Sequence, residues 1–284
     1  MTKFAYIVLH YKNINDTIEC LQSIKDKYNS PIIVVDNATM NNDDIKAIKT
    51  YTNDLILLEE NKGFAKANNI GCKYAIEKYS PDYLVVINND ILITDMAFES
   101  KIESCYMKTK FDILGPKINT NNGDSVNPFR AYRTLEEVEH AIARAKRNIS
   151  IFKSKIKRLF FSVYHKFKYF NRNIKHLENG QNALFNVPLH GCALIFSKKY
   201  YQKYEYVFYN ETFLYHEEEF LFYRVNRDKL ISYYDPNIEC FHKEGSSLNF
   251  TYNKRIYEKE IFRNKEILKS LNLLYDAMRN NKEV

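Results

Sequence analysis

Four short polar groups in this chain have the residue types and placement for phosphate and metal chemistry. Asn88-Asn89-Asp90 follows an apolar run and precedes Ile91-Leu92-Ile93. A carboxylate in that position can hold a divalent cation, which can in turn bridge a diphosphate; magnesium or manganese suits such oxygen ligands. Taken by itself, an Asn-Asn-Asp after a strand is more often a plain turn. Asp36 closes another apolar run, where its carboxylate can accept hydrogen bonds from a base or ribose hydroxyl, or simply cap the following turn. In Asn61-Lys62-Gly63-Phe64-Ala65, backbone amides and the Lys62 ammonium can face phosphates at a helix start. His10-Tyr11 ends the first apolar run. A nucleotide-binding P-loop is absent, and no G-x-G-x-x-G follows the first strand, which argues against an NTPase or a dehydrogenase.

The elements that would position these groups alternate. Phe4–His10 is a continuous apolar run, as expected of a strand buried on both faces. Asn15 or Asp16 can cap a helix reaching about Tyr28, and Pro31 opens a strand at Ile32–Val35. A helix starts at the Asn41–Asp44 cluster, followed by a strand at Leu55–Leu58, a helix at Phe64–Tyr79 and a strand at Tyr83–Ile87. This order predicts an α/β fold with a mostly parallel central sheet and helices on both faces. In such sheets ligands sit beyond the carboxyl ends of the strands, where the polar groups fall. Further on, the patterning predicts strands at Phe111–Leu114, Ala183–Val187, Ala193–Phe196, Ile231–Tyr234 and Ile238–Phe241. Helices are expected at Leu135–Arg147, Glu217–Asn226 and Asn253–Leu274.

With 284 residues the chain is long enough for a large buried core. Its net charge of +7 is unevenly spread. From His140 to Leu177 there are eleven Lys or Arg and no Asp or Glu, interleaved with aromatic residues. Such a stretch suits an anionic membrane surface, here through residues 151–176, better than a solvated helical pair; nucleic acid is not the expected partner. Five scattered cysteines without a C-x-x-C argue against a disulfide framework or zinc cluster. No signal-peptide layout opens the sequence, and no stretch approaches the roughly 20 apolar residues of a membrane span. The expected location is cytoplasmic, peripheral on the inner face of the cytoplasmic membrane.

Ile7-Val8-Leu9-His10-Tyr11, Val34-Val35-Asp36-Asn37, Glu60–Ala65 with Asn68-Asn69-Ile70-Gly71, and Val85–Asp90 occur in an order that resembles glycosyltransferase family 2. The likeness is greatest to rhamnosyltransferase-like enzymes of bacterial surface polysaccharides such as capsule. Later segments extend it: Gly115-Pro116-Lys117-Ile118, His190-Gly191-Cys192-Ala193-Leu194, Phe213–Glu219 beside a Phe-x-Tyr-x-Glu-Asp motif, and His242–Ser247 beside His-x-x-Gly-x-Ser.

The resemblance implies a Rossmann-like GT-A fold, a nucleotide-sugar donor, a divalent metal (Mg or Mn) and inversion at the anomeric carbon. It implies a catalytic domain over residues 1–250, with a nucleotide-sugar half at about 1–115 and an acceptor half at 183–250. A basic aromatic insertion (135–180) and a C-terminal helical segment (251–284) complete the expected organisation. By position, His10, Tyr11, Asp36, Asn61, Lys62, Gly63, Asn68, Asn88 and Asn89 fall in the donor-binding motifs. His190 and Gly191 match the donor–acceptor junction, and Asp90 matches the last Asp of the family's Asp-x-Asp. Asn88 replaces the first Asp, so His242 is a candidate second metal ligand. Glu218 matches the general base, although spacing alone does not separate it from Glu217. A carboxylate there can take the proton of an acceptor hydroxyl, and the Glu217–Glu219 cluster can raise one pKa toward neutrality; an acidic first helical turn complementing the helix dipole is the plainer alternative.

The implied activity is transfer of a hexose or deoxyhexose from a UDP- or dTDP-sugar to a lipid-linked or growing surface polysaccharide. Two other classes fit parts of the sequence: a sugar-phosphate nucleotidylyltransferase, which lacks its Gly-rich, Arg-containing loop here, and a non-catalytic basic protein binding membrane or nucleic acid.

Overall fold

Strand β1 (Phe4–His10) is buried along its whole length. Its side chains alternate between two cores: Phe4, Tyr6 and Val8 enter one, Ala5, Ile7 and Leu9 the other. Burial on both faces is what an uninterrupted apolar run requires. The computed structural model describes residues 3–121, 123, 125–132, 134–154, 181–243 and 256–284.

Around β1 stand β2 (Ile32–Asp36), β3 (Asp54–Leu57) and β4 (Tyr83–Asn88), in the spatial order β3-β2-β1-β4 and all parallel. Helices α1 (Ile14–Lys25), α2 (Asn42–Lys49) and α3 (Gly63–Tyr79) make the crossovers. Cys20, Leu21 and Ile24 of α1 and Ile48 of α2 fill the first core, while Ala65, Ala67, Cys72 and Ala75 of α3 fill the second. The helices therefore cover both faces. Gly71 lets α3 press closely on the sheet, since a Cβ there would meet methyl groups of Val35 and Ile7 at 2.7 and 2.8 Å.

Beyond β4 the sheet is mixed. It continues through β8 (Ala193–Ser197), β6 (Ile113–Thr120), β9 (Ser232–His242) and β5 (Ile91–Leu92), with β7 (Leu184–Phe185) also paired to β9. The parallel arrangement holds for the first four strands, and β4–β8 and β6–β8 are antiparallel. Antiparallel pairing has a functional consequence: β8 begins where β4 ends, with Ala193 opposite Ile87 and Asn88 N–H donating to Cys192 O at 2.9 Å. In the same way β9 ends at His242 opposite Ile91.

The two strands expected at 231–234 and 238–241 are one, β9. Its register against β6 shifts where Asp235 and Glu239 face Pro116 and Lys117. Pro236 lacks an amide donor, so the ladder skips a step there without ending the strand.

Helix α4 (Phe98–Thr109) joins the first core through Phe98, Ile102 and Cys105. Helix α5 (Leu135–Lys153) outruns the expected Leu135–Arg147 and starts with a capping box of Thr134 and Glu137. A one-turn helix, α6 (Lys198–Tyr201), follows β8, and α7 (Glu217–Asp228) precedes β9. The C-terminal α8 (Ile256–Asn280) packs with α5 and α7 in a third core that includes Val138, Ala141, Phe220, Leu271 and Leu274. The insertion thus rests its first helix on the end of the chain. From residue 155 on, the basic stretch at 151–176 lies outside the described residues, as does the Glu244–Ser247 part of the later motif. Among the described residues, no helix is long and apolar enough to cross a membrane. All five cysteines are buried and free.

Candidate active site

The carboxyl ends of β1 and β2 are closed by their own turns. His10 is buried, with Nδ1 2.6 Å from Thr17 Oγ1, and burial lowers its pKa, keeping it neutral. Tyr11 follows with partial exposure under the Lys12 ammonium. The Asp36 carboxylate accepts from Thr39 N–H (2.9 Å), Thr39 Oγ1 (3.2 Å) and Met40 N–H (3.2 Å), so it braces the turn after β2. Its neighbour Asn37, not singled out among the site residues, joins two loops. Asn37 Oδ1 accepts from Lys62 N–H at 2.8 Å and Nδ2 donates to Gly63 O at 3.1 Å.

The loop before α3 is held in turn by Asn61, whose Oδ1 accepts from Gly63 N–H at 2.8 Å. Gly63 has φ +80°, and a Cβ there would fall on the Phe213 carbonyl, to which Phe64 N–H donates at 2.8 Å. Only glycine meets both demands. Phe213 leads into Glu217–Glu219, so this bond ties the loop before α3 to the segment that opens α7. The Lys62 ammonium pairs with Glu60 at 2.5 Å. Asn68 is buried inside α3, where Nδ2 donates to Phe64 O at 3.1 Å.

At the end of β4 the three polar residues diverge. Asn89 Nδ2 donates to Asn13 O (3.2 Å) and Thr17 Oγ1 (2.9 Å), anchoring the turn to α1. Asn88 is half-buried beside Cys192. Asp90 is 7% exposed; its Oδ2 lies 3.1 Å from His242 Nε2, while its buried Oδ1 has no protein partner. Lys243 N–H donates to Asp90 O at 3.0 Å, and its ammonium pairs with Asp16 (2.7 Å) and Glu19 (2.8 Å). Thr17, Asp16 and Lys243 carry no motif signal, because their roles depend on α1 meeting the end of β9.

A buried carboxylate oxygen without a partner is costly unless something binds it. One carboxylate and one imidazole fit a divalent cation as part of its shell, with oxygens of a bound diphosphate as the remainder. Among the described residues no group of three His, Cys, Asp or Glu could hold a metal unaided.

Across from this pair lies the loop before β8. His190 N–H donates to Asn127 Oδ1 at 2.7 Å, and His190 Nδ1 accepts from Cys192 N–H at 3.2 Å. That second bond leaves the proton of a neutral imidazole on Nε2. Burial lowers the His190 pKa; the charges of Glu218 and Asp90 raise it, and His242 lowers it. All three groups therefore lie within electrostatic reach of one ring.

Gly191 N–H donates to Glu218 Oε1 at 3.1 Å, and a Cβ at 191 would stand 3.0 Å from that oxygen. Before α7 the chain takes two consecutive left-handed residues, Tyr215 (φ 72°) and His216 (φ 71°). Such non-glycine residues each cost about 1 kcal/mol or more, and such strain clusters at functional sites. The turn separates the three carboxylates. Glu218 is half-exposed beside His190, Glu219 is buried against His216 Nδ1 at 3.1 Å, and Glu217 is 6% exposed with Oε1 unpartnered. Arg224 does not pair with this cluster; it is buried and donates to Val207 O, Tyr206 O, Val284 O and the Tyr200 hydroxyl.

Burial, and then the charges of Glu218 and Glu219, push the Glu217 pKa up from 4.5 to about 8. Between those values the folded state keeps a proton that the unfolded chain releases. Stability from this group is thus full below about pH 4.5 and is lost as pH rises toward 8, by up to about 1.4 kcal/mol per pH unit. Glu217→Gln removes that slope. Urea unfolding between about pH 5.5 and pH 8.5 is expected to show wild type losing more stability than the variant; parallel profiles would contradict a buried, protonated Glu217.

The family model described as "Glycosyl transferase family 2" matches residues 6–186. Among solved structures, the chain is similar to the crystal structure of S. aureus TarS 1-349, at 16% identity and TM-score 0.50, covering 94% of this chain and 69% of that one. The same fragment in complex with UDP gives 16% identity and TM-score 0.51, covering 95% and 70%. At that identity the likeness is one of fold. No curated protein matches the chain.

Proposed function

This chain belongs to glycosyltransferase family 2, and we propose that it transfers a hexose or deoxyhexose, with inversion, from a UDP- or dTDP-sugar to a lipid-linked or growing surface polysaccharide. The observation that carries this reading is the gathering of Glu218, His190, Asp90 and His242 where β4 ends and β8 begins. Gly191, next to His190, donates to Glu218 at 3.1 Å, Asp90 lies 3.1 Å from His242, and Asn88 N–H bonds Cys192 O to join the two strand ends.

In this mechanism Glu218 accepts the proton of the attacking hydroxyl, held toward the site by Gly191 N–H. Neighbouring Glu217 stays protonated at neutral pH and adds no competing charge beside it. His190 presents Nε2–H to the junction between donor and acceptor. Asp90 and His242 would hold a divalent cation, which stabilises the negative charge growing on the leaving nucleoside diphosphate. The turns after β1 and β2, stitched by Thr17, Asp36 and Asn37, shape the floor on which the nucleotide lies. Asn68 and Asn89 act through the backbone they brace.

The solved TarS fragment was crystallised with UDP, which makes UDP the first nucleotide to test. With UDP at about 100 times its Kd, binding stabilises the folded chain by about 2.7 kcal/mol. A thermal shift with UDP in manganese or magnesium, larger than without metal, is expected. No shift with UDP or dTDP under any metal condition would sink the donor assignment. The family match runs against the nucleotidylyltransferase and non-catalytic readings.

A further inference from the structure

A cleft of about 430 Å³ opens beside Glu219, walled by Phe129, Arg130, Tyr132, His140 and Arg144. Glu137, His140 and Arg144 follow one another on α5 at spacings of three and four, so they share one helix face. Each acidic member of the cleft has one oxygen engaged, and Glu219 Oε2 is buried without a partner. Glu219 pairs with His216 at 3.1 Å, and Glu137 Oε2 accepts from Thr134 N–H at 3.3 Å where α5 begins.

The basic members are not so engaged. Arg130 and Arg144 are exposed, and neither forms an ion pair with a carboxylate among the described residues. Both line the same cleft together with Tyr132.

That space adjoins the chemistry. Phe129 packs edge-on against the His190 ring at 5.6 Å, and Glu219 directly follows Glu218. In the proposed function the donor is held at the ends of β1, β2 and β4, none of whose residues lines this cleft. Resting on the reading that Glu218 activates the acceptor, we propose that this cleft seats an acceptor glycan carrying an anionic group, a phosphate or a carboxylate, held by Arg130 and Arg144. A guanidinium fork matches either anion bidentately, and the rings of Phe129 and Tyr132 offer apolar faces to the sugar. A neutral acceptor would leave two unpaired cations facing it.

The test uses the full chain and the Arg130→Gln/Arg144→Gln double variant, whose positions are exposed, with far-UV circular dichroism confirming the fold. Glucose 6-phosphate, glucuronate and glucose are the probes, followed by ligand-observed NMR, with UDP binding measured separately by thermal shift. In the wild type at least one anionic probe is expected to bind about 10-fold or more tighter than glucose. In the double variant that preference falls to within about twofold, with the UDP shift unchanged. Preference for glucose 6-phosphate identifies a phosphate-bearing acceptor, and preference for glucuronate a uronate-bearing one. Equal binding of all three probes to wild type overturns the proposal, as does an anion preference that survives in the double variant. Loss of the UDP shift in the double variant also overturns it, because the arginines then serve the donor diphosphate. Absence of a UDP shift in both proteins is a failure of the donor reading alone, since the anion preference is read on the probes.

Discussion

Glu218→Gln is expected to lower the rate of sugar transfer by about 10²–10⁴-fold, the usual contribution of a positioned general base, while leaving the fold and UDP binding intact. The amide oxygen of Gln can still accept the Gly191 N–H that Glu218 accepts at 3.1 Å, so the loop carrying His190 keeps its seat. What disappears is the ability to take a proton. Glu217→Gln is the control. Glu217 is 6% exposed and protonated up to about pH 8, so an amide there resembles its working state, and turnover is expected to stay within about tenfold of wild type. Nucleotide release at saturating donor, measured on both variants, separates the roles. If Glu217→Gln loses as much as Glu218→Gln, the assignment of the base to Glu218 is wrong.

That distinction was beyond reach of the linear sequence, and the reason is geometric. Three successive glutamates at a helix start occupy three directions about 100° apart, and which one meets the site depends on how the chain enters the helix. Here it enters through Tyr215 and His216, both left-handed, a conformation no residue type at those positions announces. By contrast, the parallel half of the sheet was legible because β1, β2 and β4 are apolar runs buried on both faces, each ending in a polar cluster. The mixed half was not. Antiparallel β8 reads like any short apolar run, yet its direction is what brings His190 and Gly191 to the end of β4. Likewise, Asp36 and Asn89 were legible as polar strand ends. Their side chains are engaged with Thr39, Met40, Asn13 and Thr17, partners that only the folded chain identifies. Arg144 falls on a helix that the patterning predicts and Arg130 in a stretch without pattern, and no motif marks either as a wall of a cleft.

Asp90→Ala is expected to abolish the metal-dependent part of UDP binding and to lower transfer by about 10²-fold or more, the several kcal/mol that a bound cation contributes to a developing negative charge. The variant should fold. Asp90 Oδ1 is buried without a protein partner, so removing the carboxylate relieves one desolvated oxygen at the cost of a single contact, that of Oδ2 with His242. His242 loses a contact at 3.1 Å but keeps its place at the end of β9, fixed by pairing with Ile91. If Asp90 and His242 are the protein's ligands, as proposed, one carboxylate and one imidazole are a weak site by themselves, and manganese alone should bind weakly even to wild type. On that proposal a bound diphosphate would supply the missing oxygens. Two measurements follow from this dependence. Manganese should stabilise wild type strongly only when UDP is present, and the UDP shift of Asp90→Ala should be the same with and without manganese. A variant whose UDP shift still grows with manganese as in wild type would show that the cation sits elsewhere. Asp90→Asn, which keeps the size but not the charge, should behave like the alanine variant, since a neutral amide oxygen holds a divalent ion far less firmly than a carboxylate.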